Sequence, residues 1–592
     1  MPTQAVMRSF DGVDMITLRN CVTVDPMSES RTAGPKNGSG RLKADTTVIV
    51  VVAWLGGVAV VSSSGDGSSP IRFENVSAQS NLDFVLDQHA TPEKNMVETM
   101  AGGVAVFDYD GDGLADIYFT NGASIPSLRK EAPAQWNRLY RNEGGLRFSD
   151  VTERAGVRAD GYTTGAAAAD FDNDGRVDLF VAGVQRNQLF RNAGDGRFED
   201  VTMAAGIKNY TWSVAAGWFD YDNDGWLDLF VVNYVDWTPE TNKYCGDRAR
   251  NVRVYCHPRQ YKGLANALYH NKRDGEFEDV SDKSGIAANV SKGMSVAFAD
   301  YDADGFTDVF VTNDAVPDFL FRNRRDGTFE EVGLLAGVAV PAHGRPISSM
   351  GVDFRDVDND GRPDLNVTAL TGETFPLFKN DNGTFFRDVT YASGLGAATI
   401  RLSGWGNAFV DLDNDGLKDL ITANSHANDR IEEFESAVYR QPNAIFRNVS
   451  GRFEDVSAQA GPDFAVARAN RGVGIGDFDN DGRLDVLVSV LGERPVLLRN
   501  TSDQSNGWIV LRLVGSASNR EGIGARVQLG SQWNHMTTAV GYASSSDYGV
   551  HFGLGSAKTI DRIEIRWPSG VTQSLENVPA NQVLTVTEPK GS

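Results

Sequence analysis

Cysteine is scarce. Three occur in 592 residues, none in a Cys-x-x-Cys pair, which excludes a thiolate zinc site and a disulfide-dense scaffold. Seven histidines are scattered without metal-ligand spacing, and no serine, threonine or cysteine stands in a recognisable nucleophile-and-base pattern. Positive charge is short as well: 56 Lys and Arg against 79 Asp and Glu leave −23, which argues against nucleic acid as a partner. No apolar run is comfortably long enough to span a membrane. The longest, Thr46 to Val61, holds about 16 apolar or small residues, the length of a signal-peptide core. Otherwise the balance, 41% hydrophobic and 23% charged, is that of a folded chain. Its length requires several domains or one large repeat architecture.

What the chain has in excess is one short phrase. Asp170-Phe-Asp-Asn-Asp-Gly-Arg-Val-Asp178 places carboxylates at positions 1, 3, 5 and 9 and glycine at position 6. Four carboxylates in one tight loop repel unless a hard cation sits among them, and Ca²⁺, which takes six to eight oxygens, suits an all-oxygen set. The glycine allows the sharp turn. The pattern recurs seven times: Asp108, Asp110, Asp112 and Asp116; Asp170, Asp172, Asp174 and Asp178; Asp220, Asp222, Asp224 and Asp228; Asp300, Asp302, Asp304 and Asp308; Asp356, Asp358, Asp360 and Asp364; Asp411, Asp413, Asp415 and Asp419; Asp477, Asp479, Asp481 and Asp485. These 28 residues are the expected ligands of up to seven Ca²⁺. The bland alternative is a set of hydrated acidic turns.

The flanks of each loop are short apolar runs, such as Gly165 to Ala169 and Leu179 to Ala182, which read as strands rather than EF-hand helices. Two further phrases travel with the loop: L-F-R-N, as in Leu189 to Asn192, and F-x-D-V, as at Phe198. Each unit therefore reads as strand A, acidic loop, strand B, strand C, tight turn, strand D, a four-stranded antiparallel blade. Seven A, B and C strands are present, but only six D strands follow them. The seventh lies at the start, in Ile71 to Val76. Pairing it with Leu497 to Asn500 closes a ring and removes the bare edges that an open solenoid would leave. The expected fold is all-β: a seven-bladed β-propeller over residues 71–502, then a small β-sandwich over 505–588, where strands alternate between Gly, Pro and Asn breaks.

Strand A residues are small, as in Gly165-Ala-Ala-Ala168, which fits converging backbones around a central channel. The acidic loops share one face with the C to D turns. Long insertions fall on the other: Gly122 to Asn137, Tyr234 to Asn266 and Ser425 to Asn443. Long loops on a rigid frame are where binding residues gather. Trp237, Tyr244, Tyr255, His257, Tyr261, His343, Arg345 and His426 are the candidate ligand-face residues, with local packing of the insertions as the competing reading. Cys245 and Cys256, inside one insertion, are expected to form a disulfide, the alternative being two buried thiols. Residues 1–45 are expected to be disordered or a spurious extension. Residues 46–64 read as a signal peptide, or as a signal anchor if uncleaved, the one case in which a membrane is a partner.

The repeated D-x-D-x-D-G-x-x-D blades resemble the FG-GAP/VCBS repeats of integrin α-subunit propellers. The tail, with Arg520-Glu-Gly-Ile-Gly-Ala-Arg526, His551-Phe-Gly-Leu-Gly555 and Arg562-Ile-Glu-Ile-Arg-Trp-Pro-Ser-Gly570, resembles the ASPIC/UnbV domain. The combination is similar to the cartilage acidic protein family. That resemblance implies calcium at the aspartates named above and an extracellular, secreted or periplasmic setting, and it carries no catalytic residue onto this chain. The expectation is a monomeric, secreted binding or adhesion module for an extracellular protein or carbohydrate. The alternative is an enzyme acting on a polysaccharide or secondary metabolite, with carboxylates such as Asp314 and Asp318 as acid and base.

Overall fold

Every repeat becomes a four-stranded meander, graded from a dry inner strand to a wet outer one. In blade 2 the strands are Tyr162–Ala169, Asp178–Val184, Gln188–Gly194 and Arg197–Asp200. The first two are buried on both faces, the third alternates, and the fourth buries only Phe198. That gradient is what sheets packed face to face around an axis impose. The structure is a computed structural model that describes residues 70–590 except 209. The N-terminal extension, the signal segment and Cys21 lie outside the described residues.

Seven sheets of this kind form. Their inner strands are Val104–Phe107, Tyr162–Ala169, Ser213–Phe219, Gly293–Ala299, Val352–Arg355, Gly404–Val410 and Asn470–Gly476. Each packs on the next and the last on the first, so the ring is closed. The closing strand is the N-terminal one: Phe73 pairs with Asn500 and Asn75 with Leu498, antiparallel. Side-chain amides staple the ring. The Asn of each L-F-R-N phrase donates to the backbone of the preceding blade's acidic loop, as Asn192 does to Tyr109 O at 2.8 Å; Asn142 to Phe478 O, at 2.9 Å, joins blade 1 to blade 7.

The C-terminal domain is a sandwich. One sheet has Gly507–Val514 between Val550–Gly555 and Gln582–Thr587; the other runs Gln532–His535, Arg526–Leu529, Thr559–Arg566, Thr572–Pro579. Between Met536 and Gly549 the chain leaves the sandwich and enters the ring. Ser544–Ser546 pairs in parallel with the inner strand of blade 1, and Ala539–Val540 pairs antiparallel with Ser544–Ser546 on its other edge. The channel is therefore plugged rather than open. The small residues of the inner strands have a further cause beyond converging backbones: a Cβ on Gly103 would run into Ala543 O, and one on Gly472 into Gly102 O and Ser544 Oγ. Backbone amides of three inner strands donate to plug hydroxyls, Val104 to Ser544, Ala168 to Ser545 and Ile475 to Ser546.

Candidate metal loops and ligand cup

The acidic loop is wound around its own first carboxylate. In blade 2, Asp170 accepts from the amides of Asp174 (3.1 Å) and Gly175 (2.7 Å), which needs the glycine at φ 88°. Asp178, at position 9, accepts from Phe171 N within the loop and from Asn192 N on strand C at 2.7 Å. Position 4 is a left-handed turn residue, and its Asn in five loops reaches the next blade, as Asn173 does to Gly225 O at 2.9 Å.

The donors suit a hard divalent ion. Carboxylate oxygens of three aspartates lie within 4.8 Å of one another in loops including Asp108/Asp110/Asp116, Asp170/Asp172/Asp178 and Asp300/Asp302/Asp304. At position 3, one oxygen each of Asp222, Asp358, Asp413 and Asp479 is buried without any hydrogen-bond partner, a costly state unless a cation takes it. Burial pushes Asp116 and Asp220 up to about 8 and Asp170 up to about 7, with neighbouring aspartates adding to the effect. A base on strand C offsets part of this charge: Arg141 lies 2.6 Å from Asp110 and 2.5 Å from Asp112, and Arg447 lies 2.8 Å from Asp413 and from Asp415. Loop 3 has an imidazole instead, His270 Nδ1, 3.2 Å from Asp228.

Most of this face is covered by the C-terminal domain, which contacts several of the loops. Glu521 accepts from Asp170 N at 2.8 Å, and Arg520 N donates to Asn173. Arg526 donates to Gly361 O and lies 3.5 Å from Asp300. Lys418 donates to both Asp356 O and Trp533 O. Arg355, fully buried beside Asp353, donates to Asn534, His535 O and Tyr548.

The opposite face is open and concave. A cavity of about 400 Å³ sits over the ring axis, lined by the segment before blade 1 and by blades 3 to 6, a volume suited to a small molecule or one side chain with its neighbours. The plug underlies it. Tyr542 donates to Met100 O at 2.8 Å and packs edge-on to Trp405 at 4.8 Å, and both partners line the cavity. A through-channel has become a blind cup.

Of the candidate ligand-face residues, Tyr255, His257 and His426 line the cup. Trp237 and Tyr261 are buried in the blade 3 insertion, and Tyr244 is stacked by Arg248 and Arg253. His343 and Arg345 are exposed and lie outside the cup. Cys245 and Cys256 form a disulfide that holds the insertion at the rim. Asp314 lines the cup, but Asp318 does not partner it. Asp318 is buried, accepting from Asn313 N at 2.6 Å and Ser349 Oγ at 2.8 Å, because strand B needs an end cap there. The acid that joins Asp314 is Glu373. Ser348 N donates to Glu373 at 2.9 Å, while Asp314 takes the Tyr234 hydroxyl at 2.6 Å and a hydrogen bond from the Ser348 side chain. Burial raises both carboxyls, and Asp314 adds to the rise at Glu373. Burial holds His426 down at about 4. Glu373, Trp405, Met294 and Met350 were missed; Met294 and Trp405 are the second residues of a strand A, Met350 lies just before one, and Glu373 follows a strand B.

A family profile described as FG-GAP-like repeat matches residues 108–181, 170–231, 259–311, 300–367, 356–422 and 411–488, and one described as ASPIC and UnbV matches 515–592. Cartilage acidic protein 1 of Homo sapiens is 26% identical over 334 residues, 53% of this chain and 47% of that one. The Xenopus tropicalis protein of that name is 28% identical over 303 residues, 48% and 43%. The chain thus spans about half the length of the curated relatives it matches. Among solved structures, an Agrocybe aegerita lectin that recognises non-reducing terminal N-acetylglucosamine aligns with a TM-score of 0.36 at 16% identity, over 62% of this chain and 85% of that one. YCF48 bound to a D1 peptide aligns at 0.38 and 8%, over 71% and 98%. Likeness at these scores carries no argument about ligands.

Proposed function

Since the chain belongs to the FG-GAP-like repeat family and carries an ASPIC and UnbV domain at its C-terminus, we propose that it is a secreted, calcium-binding binding module. Its ligand is an extracellular protein or glycan, taken on the insertion face. The observation that carries this reading is the asymmetry of the ring: one face is occupied by the chain's own domain, and the other holds an open cup. Calcium in the loops would stabilise only the folded ring. Ca²⁺ export settings supply the ion, and weak extracellular sites fill there.

The test is a glycan array and a panel of purified extracellular proteins probed with residues 70–592 in Ca²⁺ and in EDTA. Binding that needs Ca²⁺ and is lost in Tyr255→Ala supports the reading. Binding indifferent to both, or none on either panel, overturns it. A second reading, an extracellular enzyme acting on a polysaccharide or secondary metabolite, is favoured by one observation: Asp314 and Glu373 meet at Ser348 in the cup wall, an arrangement usable for acid–base work. It requires turnover that falls at least about a hundredfold in Asp314→Asn.

A further inference from the structure

The walls of the cup are chemically unequal. On the side built by blades 4 and 5 stand Asp314 and Glu373, and none of the ion pairs among the described residues includes either of them. Lys292, whose backbone carbonyl accepts from Asp314 N at 2.9 Å, favours the ionised form of Asp314 without forming an ion pair with it. Two cations near the other walls are already engaged, whereas Arg259 at the rim belongs to no ion pair among the described residues. Lys94 pairs with Asp429 at 2.5 Å, and Arg471, fully buried, donates to Thr99 O, Asn470 O and Ser425 Oγ with its plane 4.0 Å from the Trp405 ring. At the exposed rim, Arg259 contacts His257 at 3.3 Å, with Glu435 nearby on the same rim. The lining also includes an apolar and adaptable set, Met96, Met100, Met294 and Met350, each nearly fully buried, together with Trp405.

Two half-buried carboxyls that belong to no ion pair among the described residues, facing a thioether-lined space, leave that wall open to one positive charge. We infer that the cup binds an alkylammonium group, with the ammonium held between Asp314 and Glu373 and an apolar stem lying on the methionines. This deepens the proposed function and rests on it in taking the insertion face as the ligand face. The ammonium has two sources, a free small amine or a lysine side chain of a protein partner. Both present three N–H donors on a flexible apolar stem, and charge-assisted hydrogen bonds to a desolvated carboxylate are the strong ones.

The probes are tryptamine, its neutral analogue tryptophol, its anionic analogue indole-3-propionate, and a terminally blocked pentapeptide with one central lysine. Each is titrated calorimetrically into residues 70–592 in Ca²⁺. Tryptamine or the peptide is expected to bind at least about tenfold more tightly than tryptophol, with indole-3-propionate weakest. Asp314→Asn should remove that preference and leave tryptophol affinity unchanged. Glu373→Gln, read beside its melting temperature, should do the same should the first variant fold poorly. Tighter binding by the peptide assigns the group to a protein partner, and tighter binding by tryptamine assigns it to a small molecule; either supports the inference. Equal affinity for tryptamine and tryptophol, no binding by any probe, or equal losses for both in Asp314→Asn overturns it. The array and protein panel are scored separately, so calcium-dependent capture there with no amine preference here sinks the ammonium and spares the binding module.

Discussion

The two faces of the ring are made from the same seven repeats and have opposite fates. The acidic-loop face is regular, charged and largely covered: each blade presents the same pattern of four aspartates and a glycine, and a second domain contacts several of the loops, as Glu521 does Asp170 N. The insertion face is irregular and open. Its B to C and D to A connections differ in length from blade to blade, and they build a cup instead of a platform. Regularity served assembly and irregularity served recognition, a division that rigid scaffolds favour generally.

The contrast breaks most sharply at Arg355. Arg355→Met leaves Asp353 buried without its cation and removes the bonds to Asn534, His535 O and Tyr548. A loss of about 3–5 kcal/mol is expected, together with faster proteolysis of the 536–549 plug; unchanged melting and unchanged cleavage would mean that the covered face does not depend on this seam.

A smaller effect is expected from pH in the chelated protein. Asp116 and Asp220 are held up at about 8 and Asp170 at about 7, against about 4 in an unfolded chain. The folded state then binds the proton more tightly, so this contribution is complete below about pH 4 and is lost as pH rises through about 8. Melting temperature in EDTA should decline over that interval, and saturating Ca²⁺, which favours the ionised form, should flatten the curve. A rise with pH in EDTA contradicts the burial of these groups.

Smaller again, Asn192→Ala removes one staple between blades 1 and 2 and should cost about 1–2 kcal/mol, measured by denaturant unfolding. The smallest global change belongs to the open face. With Cys245 and Cys256 both replaced by serine, the melting temperature of the ring should move by only about 2 °C or less, since the bridge closes a loop at the rim. Protease nicking within residues 245–256 should rise. A large fall in melting would show that the insertion supports the ring.

The ring was legible because a nine-residue phrase repeats with its flanking strands. A missing seventh strand D, supplied by Phe73–Asn75, is then a matter of counting. The disulfide and three cup residues could be placed from their insertions. The plug could not. Thr537 to Tyr548 is short, polar and glycine-containing, and its partners are backbone amides and carbonyls of the inner strands, which leave no apolar pattern to read. Glu373 was equally silent, one acid among 79 Asp and Glu, while Asp318, just as plausible on paper, caps a strand end. The Asn in each L-F-R-N phrase was visible, but its bond runs to a different blade and needs the ring to exist before it has a meaning.

Calcium uptake by the chelated chain, followed by calorimetric titration with a melting curve at each end point, tests the central claim most directly. Several ions per chain, approaching the seven loops, with a rise in melting temperature of about 10 °C or more and protection of the 536–549 segment, is the expected result. No heat of binding and superimposable melting curves with and without Ca²⁺ would contradict it.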